Sequence, residues 1–408
     1  MKRVLIVGQK FSGLTDYLDS HGIDYVLMQD LTKTKYPNKS FRRRVLADFS
    51  SDETIFRTVD SINKPFDGVI NVYENYVVPT AKIAERLGLP GLPLDTAEAC
   101  TDKFLMRSLF AGASEEISPD FAIADNENAV RKFAINHNFP LIIKPANLSK
   151  SLLVYKNHTM DELLANFYRA QELAPKIYSK YAPCRRPKLL MEEFLVGSIH
   201  SVDAFVNADG EPQILENVVD YQTGYDIGCD DNFHYSRLLP SRLSLADQNA
   251  LRHCATIGVK ALGMKNSPAH VEIIMTDDGP RIVEIGARNG GYRERMHHLA
   301  NGIDIIGAAL DLTFGKQPII RSTTNDSCAV LELFPKIPGK FVGLKNEVAL
   351  RGLSSLNYLS IKAKPGEFRG KSSDGYKMCA VIILHNSDAK KFQEDLDFVN
   401  QNVEVTTF

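Results

Sequence analysis

Two glutamates, Glu272 and Glu284, lie twelve residues apart in the segment 270–285. Two β-type runs flank an Asp-Asp-Gly-Pro turn signal, so the segment is predicted to form an antiparallel hairpin. If the connecting loop has five residues, 276–280, Glu272 lies directly opposite Glu284 on one face. Facing acids destabilise a sheet by roughly 0.2 to 1 kcal/mol unless a positive charge lies between them. Hard oxygen ligands suit Mg²⁺, so the pair is a candidate metal site, although two solvated surface acids would give the same pattern.

The second strand of this hairpin runs into a loop of small residues, 286–291, which carries one guanidinium on Arg288. Glycines allow a backbone and a ligand to approach each other closely. We therefore expect this loop to hold a ligand beside the acid pair.

Two lysines stand where a polyphosphate could bind. Lys103 follows Asp102 at a predicted helix start, where backbone amides and the helix dipole favour an anion. A solvated surface lysine would give the same pattern there. Lys144 ends an apolar strand, and a charge in such a strand needs a partner.

The segments that follow Lys144 offer further contacts to a nucleotide. The loop 146–151 could fold over phosphates and supply two hydroxyls, those of Ser149 and Ser151. A later apolar strand ends in acids, at a hinge whose backbone could bond an adenine edge. The hinge residues are Glu192, Glu193, Phe194 and Leu195.

This order of parts, over roughly residues 70–315, resembles the ATP-grasp superfamily. Within it, the run 284–291 is similar to that of carboxylate-amine ligases of the bacterial L-amino acid ligase type. The resemblance implies that ATP and Mg²⁺, or Mn²⁺, are the cofactors, with Glu272 and Glu284 as metal ligands. It also implies that Arg288 is catalytic. The implied substrate contacts are Glu74, Arg288, Asn289, Gly290 and Gly291.

The implied reaction joins a carboxylate to an amine through an acyl phosphate and releases ADP and phosphate. The expected substrates are amino acids. Two alternatives stay open: an ATP-grasp ligase that acts on a nucleotide precursor or bicarbonate, and an ATP-binding protein without catalysis. The acid that commonly holds the ribose is replaced by Ile199, so Glu193 or Asp203 would have to do so. The acids of segment 221–240 could face an amine or simply be solvated.

The predicted fold class is α/β. Alternating strand and helix signals over residues 1–95 indicate an N-terminal parallel α/β unit, which ends near a Gly- and Pro-rich segment. The resemblance implies a two-lobed ATP-grasp fold next, with the phosphate-covering loop in 96–205 and the metal site in 206–315. A C-terminal, β-rich α+β part is expected over 316–408.

The bulk composition excludes several classes of partner. The 408 residues include 48 basic and 50 acidic side chains, a net charge of -2 that gives no field favouring nucleic acid or an anionic membrane. No apolar run approaches the roughly 18 residues of a membrane span. Six scattered cysteines without a CxxC pair suit a reducing compartment. We therefore expect a cytoplasmic protein with small-molecule carboxylate and amine substrates, and a homodimer as the commonest assembly.

Overall fold

The computed structural model describes residues 1–34, 43–148, 152–182 and 185–408. None of the helices in these ranges is both long enough and apolar enough to cross a membrane. The α/β fold class predicted from the sequence is confirmed.

The first part of the chain is a small parallel α/β unit, as predicted. Its elements are β1 (Arg3–Gly8), α1 (Ser12–Ser20), β2 (Asp24–Asp30), β3 (Arg44–Ala47), α2 (Asp52–Ser61), β4 (Gly68–Asn71) and α3 (Val77–Leu87). The strand order is β3-β2-β1-β4, and all pairs are parallel. Helices cover both faces, which explains why β1 is apolar without alternation and why Val4 to Val7 are fully buried.

The second part carries a four-stranded antiparallel sheet. Its elements are α4 (Leu94–Thr101), α5 (Lys103–Phe110), β5 (Phe121–Ile123), α6 (Glu127–Asn136), β6 (Leu141–Pro145), β7 (Tyr155–Asn157), α7 (Met160–Tyr181) and β8 (Leu189–Glu193). The order is β5-β8-β6-β7. Helix α7 continues to Tyr181 although it contains Pro175. Buried Ala174 and Tyr178 continue its apolar face, so packing against the lobe outweighs the proline.

A large antiparallel sheet forms the centre of the molecule. The elements of this region are β9 (Ser198–Val206), β10 (Pro212–Ile214), β11 (Val219–Thr223), β12 (His234–Leu239), α8 (Leu245–Ala261), β13 (Ser267–Thr276), β14 (Gly279–Gly286), α9 (Arg293–Asn301) and α10 (Ile305–Thr313). Helix α8 packs on β13 and β14 and buries the largest apolar cluster.

The last part extends the same sheet and adds a small one. Its elements are β15 (Ser327–Leu333), β16 (Gly339–Leu344), α11 (Glu347–Arg351), β17 (Leu356–Ile361), β18 (Phe368–Arg369), β19 (Ala380–Asn386), α12 (Ala389–Asn402) and β20 (Val405–Thr407). The large sheet has the order β14-β13-β9-β11-β12-β15-β19-β17, with β10 on β9. It runs across the expected boundaries at 205/206 and 315/316, and the four-domain division stays a prediction.

Candidate active site

The acid pair lies on the β13–β14 hairpin at one edge of the large sheet. Glu272 and Glu284 are partners in the register, as predicted. The expected five-residue loop is wrong, because only residues 277–278 separate the two strands. Val283 takes up the difference as the extra residue of a β-bulge in β14. The twelve-residue spacing therefore brings the acids together through a short turn and a bulge.

Positive groups lie against both acids. Lys103 Nζ is 2.7 Å from Glu284 Oε2, and the charge of Lys103 lowers the pKa of Glu284. His270 Nε2 lies 3.4 Å from Glu272 Oε1. Burial alone would raise the pKa of Glu272, but the hydrogen bond to His270 and the charges of His234, His270 and Arg288 together outweigh it and hold that pKa well below its usual range. Both side chains are therefore carboxylates at neutral pH.

The donor set of this acid pair fits a hard divalent cation. Two carboxylates face each other, and oxygen is the ligand that Mg²⁺ prefers. Within the described ranges, no group of three or more His, Cys, Asp or Glu side chains is placed to hold a metal ion. A metal on Glu272 and Glu284 would thus have two protein ligands and take its others from water and phosphate.

Lys144 has the partner that its position in an apolar strand requires. Its Nζ lies 2.6 Å from Glu192 Oε2 on the neighbouring strand β8. The other oxygen of Glu192 accepts a hydrogen bond from Arg107 Nε at 3.2 Å. Burial alone would raise the pKa of Glu192, but Arg107 and Lys144 outweigh it and lower that pKa. The Glu192 side chain therefore holds Lys144 in place. The prediction of a hinge that binds the adenine edge now depends on residues 193–195.

The start of the predicted phosphate-covering loop lies against helix α5. The backbone amide of Lys103 donates to the carbonyl of Ala146 at 2.7 Å. Lys103 Nζ lies 3.3 Å from the carbonyl of Leu148. Ser149 and Ser151 lie outside the described residues. The tip of the loop is therefore untested, whereas its base adjoins the lysine that contacts the acid pair.

Arg288 is held by the acid from the N-terminal unit. Arg288 Nε donates to Glu74 Oε2 at 2.9 Å, and Nη1 donates to the carbonyl of Asn289 at 3.0 Å. The glycines around Arg288 make room for these contacts. A methyl group on Gly286 would lie 3.2 Å from Glu74 Oε2, and one on Gly290 would lie 2.5 Å from His270 Nδ1. The structure thus gathers the predicted substrate residues at one place.

Most of segment 221–240 belongs to the hairpin of β11 and β12. Its acids fix the hairpin tip. Asp226 accepts from a backbone amide at 2.6 Å, and Asp231 accepts from the amide of Ser372 at 2.6 Å. The face toward the acid pair instead carries His234 and Arg237. Asp226 and Asp231 thus have partners within the chain, and contact of these acids with an amine substrate stays a prediction.

A buried polar cluster beneath Glu272 has no signal in the sequence. Asp203 is 4% exposed and contacts His270 Nδ1 at 2.7 Å, Arg293 Nε at 3.1 Å and His297 Nε2 at 3.3 Å. Asp203 cannot hold a ribose from there, so that option is wrong. Arg293 does not line the pocket either, because it is buried in this cluster. His298 is exposed while its neighbour His297 is buried, as expected for adjacent helical residues.

Two family models match this chain. The ATP-grasp domain matches residues 137–294, and the ATP-grasp N-terminal domain matches residues 20–91. Among curated relatives, the alanine–anticapsin ligase of Bacillus subtilis is 27% identical over 306 residues, which are 67% of this chain and 62% of the relative. The phosphoribosylamine–glycine ligase of Methanothermobacter thermautotrophicus is 24% identical over 50% of this chain and 49% of its own length. The chain thus spans less than two thirds of these relatives.

Solved structures extend the likeness to the whole chain. An L-amino acid ligase from Bacillus licheniformis superposes with a TM-score of 0.83 at 19% identity, over 100% of this chain and 99% of the other. A phosphoribosylglycinamide synthetase from Anaerococcus prevotii superposes with a TM-score of 0.72 at 19% identity, over the full length of both chains. The chain therefore belongs to the ATP-grasp superfamily, on the fold that the Bacillus licheniformis ligase also adopts.

Proposed function

We propose that this protein is an ATP-dependent carboxylate-amine ligase that joins an amino acid to an amine, most simply a second amino acid. The observation that carries this proposal is the hairpin acid pair, with Lys103 bound to Glu284 and with Arg288 a few residues further along the same strand and loop. The likeness to alanine–anticapsin ligase and to an L-amino acid ligase supports the substrate class.

Each proposed role follows from charge and position. Lys103 and Lys144 would neutralise phosphate oxygens of ATP. Glu272 and Glu284 would hold Mg²⁺ or Mn²⁺, which supplies further positive charge to the polyphosphate when bound. Arg288 would bind the activated carboxyl group, and catalysis would consist mainly of positioning and charge stabilisation.

The proposed reaction has two displacements. A carboxylate oxygen of the first substrate attacks the γ-phosphorus, the bond to the β-phosphate oxygen breaks, and ADP leaves. The amine nitrogen of the second substrate then attacks the acyl carbon, forms the C–N bond, loses a proton and displaces phosphate. The Arg288 guanidinium, which Glu74 holds in place, would stabilise the negative oxygen of the tetrahedral intermediate. Asn289, Gly290 and Gly291 would line the substrate side.

A screen of ADP and phosphate release tests the proposal. Amino acids are supplied with ATP and Mg²⁺, alone and in pairs, and Glu284→Ala is compared with Asp277→Asn, an exposed acid in the turn of the same hairpin. We expect release to need an amino acid pair, to vanish in Glu284→Ala and to persist in Asp277→Asn. Full turnover by folded Glu284→Ala would contradict the proposal.

The same screen separates the other candidates. Turnover that needs phosphoribosylamine together with glycine would favour the activity named for the Methanothermobacter relative. Turnover with bicarbonate in place of an amino acid carboxylate would favour another ligase of the superfamily. Nucleotide binding without any turnover would favour a non-catalytic protein. The homodimer and the cytoplasmic location stay predictions, which light scattering and cell fractionation can test.

A further inference from the structure

One fully buried cation has no part in the proposed reaction. Arg107 on helix α5 is 0% exposed. Its Nε contacts Glu192 Oε1 at 3.2 Å, and its Nη2 donates to the carbonyl of Val283 at 2.7 Å. Its Nη1 has no hydrogen-bond partner in the described part of the chain. A charge kept in such a place, partly unsatisfied, calls for a role beyond packing.

Arg107 and Lys103 act from the same face of α5, because residues four apart are neighbours on a helix. Lys103 contacts the carboxylate of Glu284, and Arg107 contacts the carbonyl of Val283, the residue before it. One helix face therefore holds two consecutive residues of β14 and, through Glu192, also the strand β8.

The carbonyl that Arg107 binds belongs to the bulge. Side chains alternate along a strand, so without the extra residue Val283 would stand opposite Glu272. Glu284 would then stand opposite Val271 and point into the core. A bulge interrupts the ladder of hydrogen bonds, and a buried carbonyl in it needs another donor. The guanidinium of Arg107 is that donor.

We propose that Arg107 is a positioning residue that fixes the bulge at Val283, and with it the metal-facing orientation of Glu284. Through Glu192 the same guanidinium fixes Lys144, so one rigid group sets the phosphate lysine relative to the acid pair. The proposal rests on the proposed function only where it calls Glu284 a metal ligand. Arginine suits this role because its planar fork presents donors in fixed directions, whereas a lysine ammonium is a point charge.

Binding of Mn²⁺ alone, measured by electron paramagnetic resonance of the free ion, tests the inference without nucleotide or turnover. Arg107→Lys is compared with the wild type and with Arg131→Lys, whose exposed arginine pairs with Glu127 in the same lobe. We expect Mn²⁺ affinity to fall about 10- to 100-fold in Arg107→Lys, as for other groups that orient metal ligands. Arg131→Lys should bind Mn²⁺ like the wild type.

A merely structural role would lower the melting temperature of Arg107→Lys and leave the Mn²⁺ affinity of the folded fraction unchanged, which would overturn the inference. If Arg107→Lys does not fold, the double variant Arg107→Met with Glu192→Met removes both buried charges and carries the same test. Failure of the wild type to bind Mn²⁺ would also overturn it. If the wild type binds Mn²⁺ but no ADP, the proposed function fails and the inference stands.

Discussion

Replacing Glu192 by methionine should destabilise the lobe that carries Lys144. Glu192 is 4% exposed and is the acid between Lys144, 7% exposed, and Arg107, 0% exposed. Removing one partner of a buried charge pair costs about 3 to 5 kcal/mol. Lys144 can relieve part of this by losing its proton, since burial already lowers its pKa, but Arg107 cannot.

The expected loss can be measured by thermal unfolding followed by circular dichroism. For a cooperative unit of 150 to 250 residues, 1 kcal/mol shifts the melting temperature by about 2 to 4 °C, so Glu192→Met should melt about 6 to 20 °C lower. Glu193→Met is the matched control. It removes a single exposed hydrogen bond to the amide of Asp120, worth about 1 kcal/mol.

A second substitution shows whether the buried charge is the cause. Adding Arg107→Met to Glu192→Met removes the unpaired guanidinium and should recover most of the stability, because apolar replacement of a buried ion pair is often neutral. Mn²⁺ affinity should stay low in that double variant. If Glu192→Met melts within 2 °C of the wild type, or the double variant is no more stable than the single, the reasoning is wrong.

The stabilising effect of Glu192 should also depend on pH. The folded state lowers the pKa of this carboxyl, so its contribution is complete above the ordinary value of 4.5 and is lost as pH falls through the lowered value. In a Lys144→Met background, where no lysine proton can be lost, the difference in unfolding free energy that Glu192→Met causes should therefore be level from pH 7 to about 5 and shrink below that. A difference that grows as pH falls would have the wrong sign.

Three further outcomes are expected. A methyl group on Gly290 would come within 2.5 Å of His270 Nδ1, whereas one on Gly291 meets nothing within 4 Å. Gly290→Ala should cost about 1 to 3 kcal/mol in thermal unfolding, while Gly291→Ala keeps the stability of the wild type. Glu284→Gln should weaken ADP binding only when Mg²⁺ is present, which calorimetry with and without the metal can show. ADP with Mg²⁺ at about 100 times its Kd should stabilise the protein by about 2.7 kcal/mol, and a chelator should remove most of this.

Much of the site could be predicted because it depends on local rules. Two strands around a turn signal indicate a hairpin, but the pairing of Glu272 with Glu284 was right only because the bulge at Val283 offsets the wrong loop length. Asp102 accepts from two backbone amides at the start of α5, so the helix begins at Lys103 as capping patterns predict. The apolar run that ends in Lys144 likewise indicated a charge that needs a partner.

The sequence does not show which residues pair with each other across elements that are distant in the chain. The ion pair of Glu74 with Arg288 joins residues 214 positions apart, and no local pattern selects that pair. Asp203 and His270 occupy strand positions whose alternation shows which face of the sheet each side chain takes. It does not show that Arg293 and His297 of helix α9 contact Asp203.

The order of the elements, the hairpin that carries both acids and the positions of Lys103 and Lys144 follow from the sequence alone, since helix caps and strand alternation are set within a few residues. Tertiary packing sets the bulge at Val283, the hydrogen bond that Arg107 donates to its carbonyl and the ion pair of Glu192 with Lys144. Those choices depend on which buried charges and carbonyls are brought together when α5, β8 and β14 pack, because each must find a partner across elements that are remote in the chain.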